Sequence, residues 1–400
     1  MFAEFLLFCG FGAACGAATG LIPGLHSNTV SAAIISLNST LFSAFPVHLI
    51  ASMIMSMLVT HTFFNFISCV FIGVPEAGTS LSVLPGHRMA MAGRGYEAVF
   101  LMSLGGLGAM ASFVLFFPAA LFVVPALYAA VKPFTGWLLA GMLAYMVLSE
   151  RRRVWALVSV VLSGALGLVV LGPISMPEQS LFPLFAGLFG LCTLITGSRG
   201  NFPAQAAVRE CVGKATAVVG TVKGFFSGMV MGVLPGLGTA QACTLASHIG
   251  GSDEKRFMIS IGSVNVSVAL FSVISLYFFS RARSGVAVAI QSLSGGLVLG
   301  DVLVLVFAAA FASCVSFPMA LGAARAYGRL MEMVDYKNIA ASVIVFIVFM
   351  VFLLAGPAGL LIFAAAAATG LVPVYAGVRR TTLMSSLILP VCVWHFGLVF

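Results

Sequence analysis

Long apolar segments, separated by short polar connections, run through the whole chain. A membrane-spanning helix needs about 20 predominantly apolar residues, and most of these segments reach or approach that length. The longest polar intervals, residues 73–97 and 197–214, are too short for a soluble domain. The pattern therefore predicts an all-α, polytopic transmembrane protein with about 10–12 membrane helices.

The predicted segments divide the chain into two halves. In the first half they are residues 5–45, 47–72, 98–131, 134–148, 154–171 and 181–196. In the second half they are residues 215–250, 257–280, 286–299, 302–323, 340–354, 359–378 and 383–400. Because a polar connection separates the two sets, we expect two transmembrane halves, residues 1–200 and 201–400.

An internal repeat built on glycine lies in the first segment of each half. Residues 12–25 read GAACGAATGLIPGL, and residues 224–237 read GFFSGMVMGVLPGL. Glycines four apart lie on one face of a helix and allow a second backbone to approach closely. The Pro-Gly pair that follows them disfavours helix. The sequence therefore predicts two helices that break at Pro23 and Pro235.

Paired interruptions of this kind are typical of transporter binding sites, because broken helix ends expose free N–H and C=O groups inside the membrane. A glycine packing seam with a proline kink is the alternative interpretation of either copy. If each broken element leaves the membrane on the side that it entered, the two halves are inverted. If each crosses once, they are parallel. The length of each element favours a helical hairpin, and therefore inversion.

Composition and charge support a membrane location. Hydrophobic residues make up 61% of the chain and charged residues 8%, and the net charge of +8 comes from short basic clusters between apolar segments. Such clusters are topology signals and do not indicate nucleic-acid binding. By the positive-inside rule, the basic clusters face the cytoplasm, whereas Lys132, Glu178 and the turn at Asp253 fall outside. We expect a multi-pass plasma-membrane protein whose first segment is retained and not cleaved as a signal peptide.

The eight cysteines are scattered, without CxxC or Cys/His spacing, which favours core packing over metal binding or disulfides. The chain also has no Walker A loop, nucleophile elbow or metal-ligand spacing. We therefore expect neither an enzyme nor a bound cofactor or metal. Active transport would then need an ion gradient, with Na⁺ or H⁺ as candidate coupling ions, or a separate energising protein.

Polar side chains follow both predicted breaks. After the first break come His26, Ser27, Asn28 and Thr29, and after the second come Gly238, Thr239 and Gln241. A helix that begins there presents free N–H groups and a positive dipole end, so we expect these residues to bind an anion. The alternative is that they only cap the resumed helices, since Ser, Thr and Asn are good N-caps.

Four further residues are candidates because polar groups in or beside membrane segments are costly and usually have a task or a partner. Asn65 and Asn265 each follow a broken element, where they either line a cavity or form interhelical hydrogen bonds. His61 is a candidate for ion coupling, with a packing role as the alternative. Glu76 either binds a coupling cation or pairs with Arg88.

The two Pro-Gly-Leu motifs and the segment between them resemble the large membrane subunit of tripartite tricarboxylate transporters. That segment reads IGVPEAGTS at residues 72–80 and PGHRMAMAGRGYEA at residues 85–98. In that family a Pro-Gly-Thr-rich segment leads into Gly-x-x-Met-Ala-x-x-Gly-Arg. The chain is most similar to the compact archaeal branch, since it is shorter than typical members. It departs from the family pattern at residues 26–28, where Gly-Pro is usual, and at Glu76, where glycine is usual.

The resemblance implies a secondary-transporter permease that moves carboxylates with an ion gradient. It also implies two partners, a small membrane subunit and an extracytoplasmic solute-binding protein. The substrate would then lie around Pro23, Gly24, Leu25, Pro75, Gly78, Thr79, Ser80, Pro235, Gly236 and Leu237. Two alternatives remain: a flippase for a polyprenyl-phosphate lipid carrier, whose phosphate the same helix N-termini would hold, and a non-transporting membrane scaffold.

Overall fold

The structure is a computed structural model. It describes residues 2–22, 27, 30–31, 34, 45–73, 81, 83–171, 177–196, 203–206, 211–234, 239–248, 253–280, 284–333 and 336–397. These residues form helices and no strands, and eight of the helices are long and apolar enough to cross a membrane. The predicted class, a polytopic helical membrane protein, is confirmed.

The first five helices are α1 (Phe2–Leu21), α2 (Val47–Ile67), α3 (Val83–Met91), α4 (Gly95–Val131) and α5 (Thr135–Leu148). Helix α2 continues as a π-helical turn, Ser68–Ile72, which ends at Gly73 with a φ of 75°. Glycine allows this left-handed conformation without steric cost. A 3₁₀ turn, Lys132–Phe134, separates α4 from α5, as the two apolar segments predicted.

Helices α6 (Arg153–Val170), α7 (Pro177–Phe185) and α8 (Cys192–Thr196) follow, and a π-helical stretch, Ala186–Leu191, joins α7 to α8. The remaining helices are α9 (Lys214–Val233), α10 (Thr239–His248), α11 (Glu254–Phe279), α12 (Gly285–Ser294), α13 (Leu299–Glu332), α14 (Tyr336–Ala376) and α15 (Ser385–His395). The last helix is preceded by a 3₁₀ turn, Arg380–Met384. Helix α14 is kinked at Gly356, whose φ of 62° and ψ of −161° interrupt the helix just before Pro357. The kink separates the two apolar segments predicted there.

Helices α2 and α11 form the centre of the bundle. In their most apolar windows, 100% of the α2 residues and 83% of the α11 residues are buried. Helices α1 and α13 pack on α2, and α4 and α9 pack on α11, so each central helix is covered by helices from both halves of the sequence. A second group, α6, α7, α14 and α15, packs beside this centre.

Candidate functional site

Helix α1 packs on α2 through its repeated glycines. A β-carbon on Gly12, Gly16 or Gly20 would overlap a carbonyl oxygen of α2. The three oxygens belong, in the same order, to Met53, Met57 and His61. Because the contacts ascend together along both helices, α1 and α2 run in the same direction.

Helix α9 packs on α11 through the equivalent glycines. A β-carbon on Gly228 would lie 3.1 Å from the carbonyl oxygen of Val264, and one on Gly232 would lie 3.4 Å from that of Val268. Each α9 glycine is 212 positions after its α1 counterpart, and each α11 partner is 207 positions after its α2 counterpart. The two helix pairs therefore share one packing register and are both parallel.

A matched pair of hydrogen bonds follows the same register. The Ser56 hydroxyl donates to the Cys9 carbonyl, and the Ser263 hydroxyl donates to the Thr221 carbonyl, each over 2.7 Å. Serine hydroxyls that bond across helices are typical of close membrane helix contacts. These equivalent contacts support the predicted internal repeat of the two broken elements.

The directions of α2 and α4 are opposite. A β-carbon on Gly95 would contact the ring of Phe71 near the end of the α2 segment. Further along α4, a β-carbon on Gly106 would contact the ring of Phe63, which comes earlier in α2. The order of the contacts is therefore reversed, and α2 and α4 are antiparallel.

Helices α4 and α11, by contrast, run together. Gly105 packs against the Ile259 carbonyl, and further along both helices Phe113 packs on Phe271 with ring centroids 5.2 Å apart. Since α4 is antiparallel to α2, the α9–α11 pair is antiparallel to the α1–α2 pair. This is the arrangement that an inverted repeat requires, and it supports the inversion favoured by the sequence.

The parallel direction of α1 and α2 requires the intervening chain to return along the bundle. Helix α1 ends at Leu21, beside the later part of α2, whereas α2 begins beside the earlier part of α1. The ring of Phe45, just before α2, lies 5.1 Å from the ring of Phe8 in α1. Helix α2 therefore begins at the end of the bundle where α1 begins.

Most predicted binding residues lie outside the described part of the chain. These are Pro23, Gly24, Leu25, His26, Asn28, Thr29, Pro75, Glu76, Gly78, Thr79, Ser80, Pro235, Gly236, Leu237 and Gly238. The described candidates are Ser27, His61, Asn65, Thr239, Gln241 and Asn265. Helix α9 ends at Val233, Leu234 is extended, and helix resumes at Thr239, so the interruption surrounds the predicted break.

His61 lies beside the first break and is only 3% exposed. Its Nδ1 is 3.0 Å from the hydroxyl of Thr19, which also donates to the Gly16 carbonyl over 3.1 Å. The neighbouring Thr60 hydroxyl accepts a hydrogen bond of 2.8 Å from the Ser316 hydroxyl of α13. A titratable ring is thus held by hydrogen bonding between the last turn of α1 and the middle of α2.

Asn65, one turn beyond His61, is buried and lies next to the last glycine of α1. The nearby Ser68 hydroxyl lies 2.9 Å from the Gly20 carbonyl and 3.2 Å from that of Leu21. Carbonyls at a helix C-terminus have no partner within the helix. Ser68 therefore provides a hydrogen-bond donor for the free carbonyl groups at the C-terminal end of helix α1.

The second break has a different set of polar neighbours. Gln241 is buried in the first turn of α10, two residues after Thr239. Asn265 is partly exposed, and its amide donates to the Ile261 carbonyl of its own helix over 2.8 Å. The offset of 207 pairs Asn65 with Ser272, so the two asparagines do not occupy equivalent positions.

Both breaks begin close to the level where α2, α4 and α11 meet. At that level a β-carbon on Gly106 would lie 3.0 Å from Val266 and 3.1 Å from Phe63. The first break begins beside Asn65, two residues after Phe63. The second begins beside Phe271, five residues after Val266. At about 1.5 Å of rise per residue, both breaks begin within about 10 Å of this level.

A charged cluster at one end of the bundle was not predicted. Glu97, 2% exposed, lies 2.8 Å from Arg94 and 3.5 Å from Lys255, and Arg94 lies 3.8 Å from Glu254. Beside it, Arg325 of α13 donates to the Tyr96 hydroxyl over 2.9 Å. The signal available in the sequence was the presence of acidic residues close to basic ones in each of two loops. These loops lie far apart in sequence, so the sequence alone did not show that they pair.

This cluster corrects the predicted sidedness of the Asp253 turn. The sequence placed that turn outside and the Arg94 loop in the cytoplasm, but the ion pairs place both at one end of the bundle. The reason is that α9 and α11 are parallel, so that both begin at the same end as α4. The charge pattern placed the turn outside, although the helical hairpin that the element's length favours would return the chain to the side on which the element began.

A cavity of about 270 Å³ lies at the opposite end, between the start of α2 and the start of α13. His48, Ser294 and Asp301 supply its polar lining. His48 precedes His61 by 13 residues, which is about 20 Å along a helix, so this cavity is separate from the broken helices.

Comparison with known proteins identifies relatives. A family model described as the tripartite tricarboxylate transporter TctA family matches residues 6–385. An uncharacterized protein of Methanocaldococcus jannaschii is 29% identical over 350 residues, which cover 85% of each chain. No solved structure matches this chain.

Proposed function

Because this chain belongs to the tripartite tricarboxylate transporter TctA family, we propose that it is a secondary-transporter permease for a small organic anion of the carboxylate class. The observation that carries this proposal is the pair of broken helices that share one packing register and run in opposite directions. Transporters with inverted repeats bind substrate near the midplane, at discontinuous helices of this kind.

The anion would bind where the helices resume. At the second break, the first turn of α10 offers backbone N–H groups, with Thr239 and the buried Gln241 as further donors. A helix N-terminus favours negative charge through these N–H groups and the helix dipole. At the first break, the buried Ser27 is the described member of the corresponding set, which includes His26, Asn28 and Thr29.

Coupling to an ion gradient is assigned to His61, with Glu76 as a second candidate and Na⁺ or H⁺ as the ion. Ionisable residues within membrane segments are costly and mark ion or substrate pathways. Protonation of His61 would add a positive charge beside the first break and thereby favour a bound carboxylate. A small membrane subunit and an extracytoplasmic solute-binding protein are the proposed partners, in the cell membrane.

Transport by the reconstituted protein tests this proposal. Uptake of labelled di- and tricarboxylates into vesicles is measured under an imposed Na⁺ or H⁺ gradient, with thermal stabilisation by the same compounds as the binding assay. We expect the His26→Ala/Asn28→Ala and Gln241→Ala variants to lose uptake and stabilisation. Gln291→Ala is the matched control, because its exposed amide donates to the Ser280 carbonyl away from the breaks.

The contrary results are distinct. Stabilisation by polyprenyl phosphates but by no carboxylate would replace the permease with the flippase. If carboxylate uptake survives in every break variant, the protein is still a permease, but its binding site does not lie at the broken helices.

A further inference from the structure

An apolar groove runs along the outer face of α9. It has a volume of about 490 Å³ and is lined by Val218, Val219, Val222, Phe226, Val230 and Leu245. Val218 is 60% exposed and Val222 43% exposed, so the groove opens to the surroundings of a membrane helix. In a bilayer, hydrocarbon chains cover such a surface.

One positive charge lies in this apolar lining. Lys223 is half-buried among the groove residues, in the middle of a helix that is long and apolar enough to cross a membrane. Lysine within a membrane segment is costly unless its ammonium group reaches water or an anionic partner. The lysine therefore needs a counter-charge that the groove walls do not supply.

A second positive charge lies next to it. Arg256 is in the first turn of α11, and its carbonyl oxygen is 3.0 Å from the β-carbon that Gly220 of α9 would carry. Gly220 precedes Lys223 by three residues, just under one turn of α9, so this contact brings the two basic residues into the same part of the bundle. The Nε of Arg256 is buried and has no hydrogen-bond partner among the described residues.

The neighbouring acidic groups are engaged elsewhere. Glu254 faces Arg94, and Glu97 faces Arg94 and Lys255. Within the described ranges, no carboxylate forms an ion pair with Lys223 or Arg256. Among the residues that the structure describes, Lys223 in the groove and Arg256 near it thus have no carboxylate partner.

We propose that this groove binds a membrane lipid with an anionic phosphate headgroup. The phosphate would lie between Lys223 and Arg256, and the hydrocarbon chains would lie along Val222 and Phe226. A phosphate is the complementary group because it accepts several charge-assisted hydrogen bonds at once. The lipid is a bound, stabilising ligand on the bundle exterior and is distinct from the transported anion.

The test measures thermal unfolding of the purified protein in a neutral detergent, with phosphatidylglycerol or phosphatidylcholine added in increasing amounts. We expect phosphatidylglycerol to raise the unfolding temperature more than phosphatidylcholine. Loss of two basic contacts should weaken the apparent affinity for phosphatidylglycerol by about 30-fold in a Lys223→Gln/Arg256→Gln variant. Lys132→Gln is the control, since Lys132 lies over the Tyr128 ring in another part of the bundle.

A second variant covers the case in which the double substitution does not fold. Val222→Trp fills the groove without changing its charge, and we expect it to weaken phosphatidylglycerol binding while the charge pair remains. Equal stabilisation of wild type and variants by phosphatidylglycerol would overturn the proposal. Equal stabilisation by inorganic phosphate would also overturn it, because a soluble anion needs no groove.

Discussion

The hydroxyl of Thr19 lies 3.0 Å from Nδ1 of His61 and joins the last turn of α1 to the middle of α2. The contact lies near the C-terminal end of helix α1, where the glycine face of that helix also ends. It therefore links a titratable ring to the position of the proposed substrate site.

Replacing Thr19 with valine should destabilise the protein by about 1 kcal/mol, the usual value of an interhelical hydrogen bond in a membrane. It should also shift the pH profile of anion uptake if His61 couples transport to protons. The measurements are thermal unfolding and uptake between pH 5 and 8. Thr369→Val is the control, because that exposed hydroxyl bonds to the Ala365 carbonyl of its own helix. An unchanged pH profile would remove His61 from coupling.

Alanine at Gly16 should destabilise the protein by about 1–3 kcal/mol, because the added methyl group overlaps the α2 backbone at Met57. Gly232→Ala should act in the same direction in the second pair, though less strongly, since the nearest atom to its added β-carbon, the Phe271 β-carbon, is 3.0 Å away. Gly10→Ala is the control, with no atom within 4 Å of its β-carbon. That change should leave stability equal or slightly higher, as alanine favours helix. Equal effects at Gly10 and Gly16 would contradict the packing described here.

Lowering the pH should destabilise the fold through His87, which is buried in α3 with Nδ1 3.0 Å from the Val70 carbonyl. Burial lowers the pKa of this imidazole, and the Val70 hydrogen bond opposes that shift in part. The unfolded chain therefore binds a proton first, and stability is lost as the pH falls below about 6.5, at about 1.4 kcal/mol per unit of pKa difference.

Unfolding measured from pH 8 to pH 5 tests this expectation. His87→Gln should flatten the curve in that window, whereas the exposed His48→Gln should keep the wild-type slope. A wild-type slope in both variants would assign the acid sensitivity to another group.

Neutralising Glu97 with glutamine should cost about 1–3 kcal/mol, because it leaves Arg94 and Lys255 without their shared carboxylate. Both cations are partly exposed, so the cost is smaller than for a fully buried pair. Glu150→Gln is the matched control, since its partner Arg379 is 60% exposed. That surface pair should contribute less than about 1 kcal/mol to thermal unfolding.

Helix positions followed largely from hydropathy and from backbone-breaking residues. The segment predicted at 257–280 is observed at Glu254–Phe279, and the break expected at Pro235 is flanked by the ends of α9 and α10. Length and apolar character fix such elements because a bilayer sets both. The π-helical stretch Ala186–Leu191 was not predicted, since one inserted residue leaves the apolar pattern unchanged.

The candidate site was less predictable, because it depends on which helices become neighbours. The sequence identified His61 as a polar residue in an apolar segment, but Thr19 became its partner only through the packing register of α1. The same limit applies to Lys255, whose carboxylate partner comes from a loop far away in sequence. Charge counting alone placed the turn that carries this lysine at the opposite end of the bundle from the Arg94 loop, whereas the ion pairs bring the two together.

Each central helix packs against helices from both halves of the sequence, and this affects how the protein assembles during synthesis. Helix α4 leaves the ribosome early, but Gly105 contacts α11, which is synthesised more than a hundred residues later. Conversely, α2 receives the Ser316 contact only when α13 has been inserted. The N-terminal half is therefore inserted into the membrane before its partner helices are synthesised, and its inner faces stay uncovered until then. A chain cut between the halves should yield a stable protein only when both fragments are produced in the same cell.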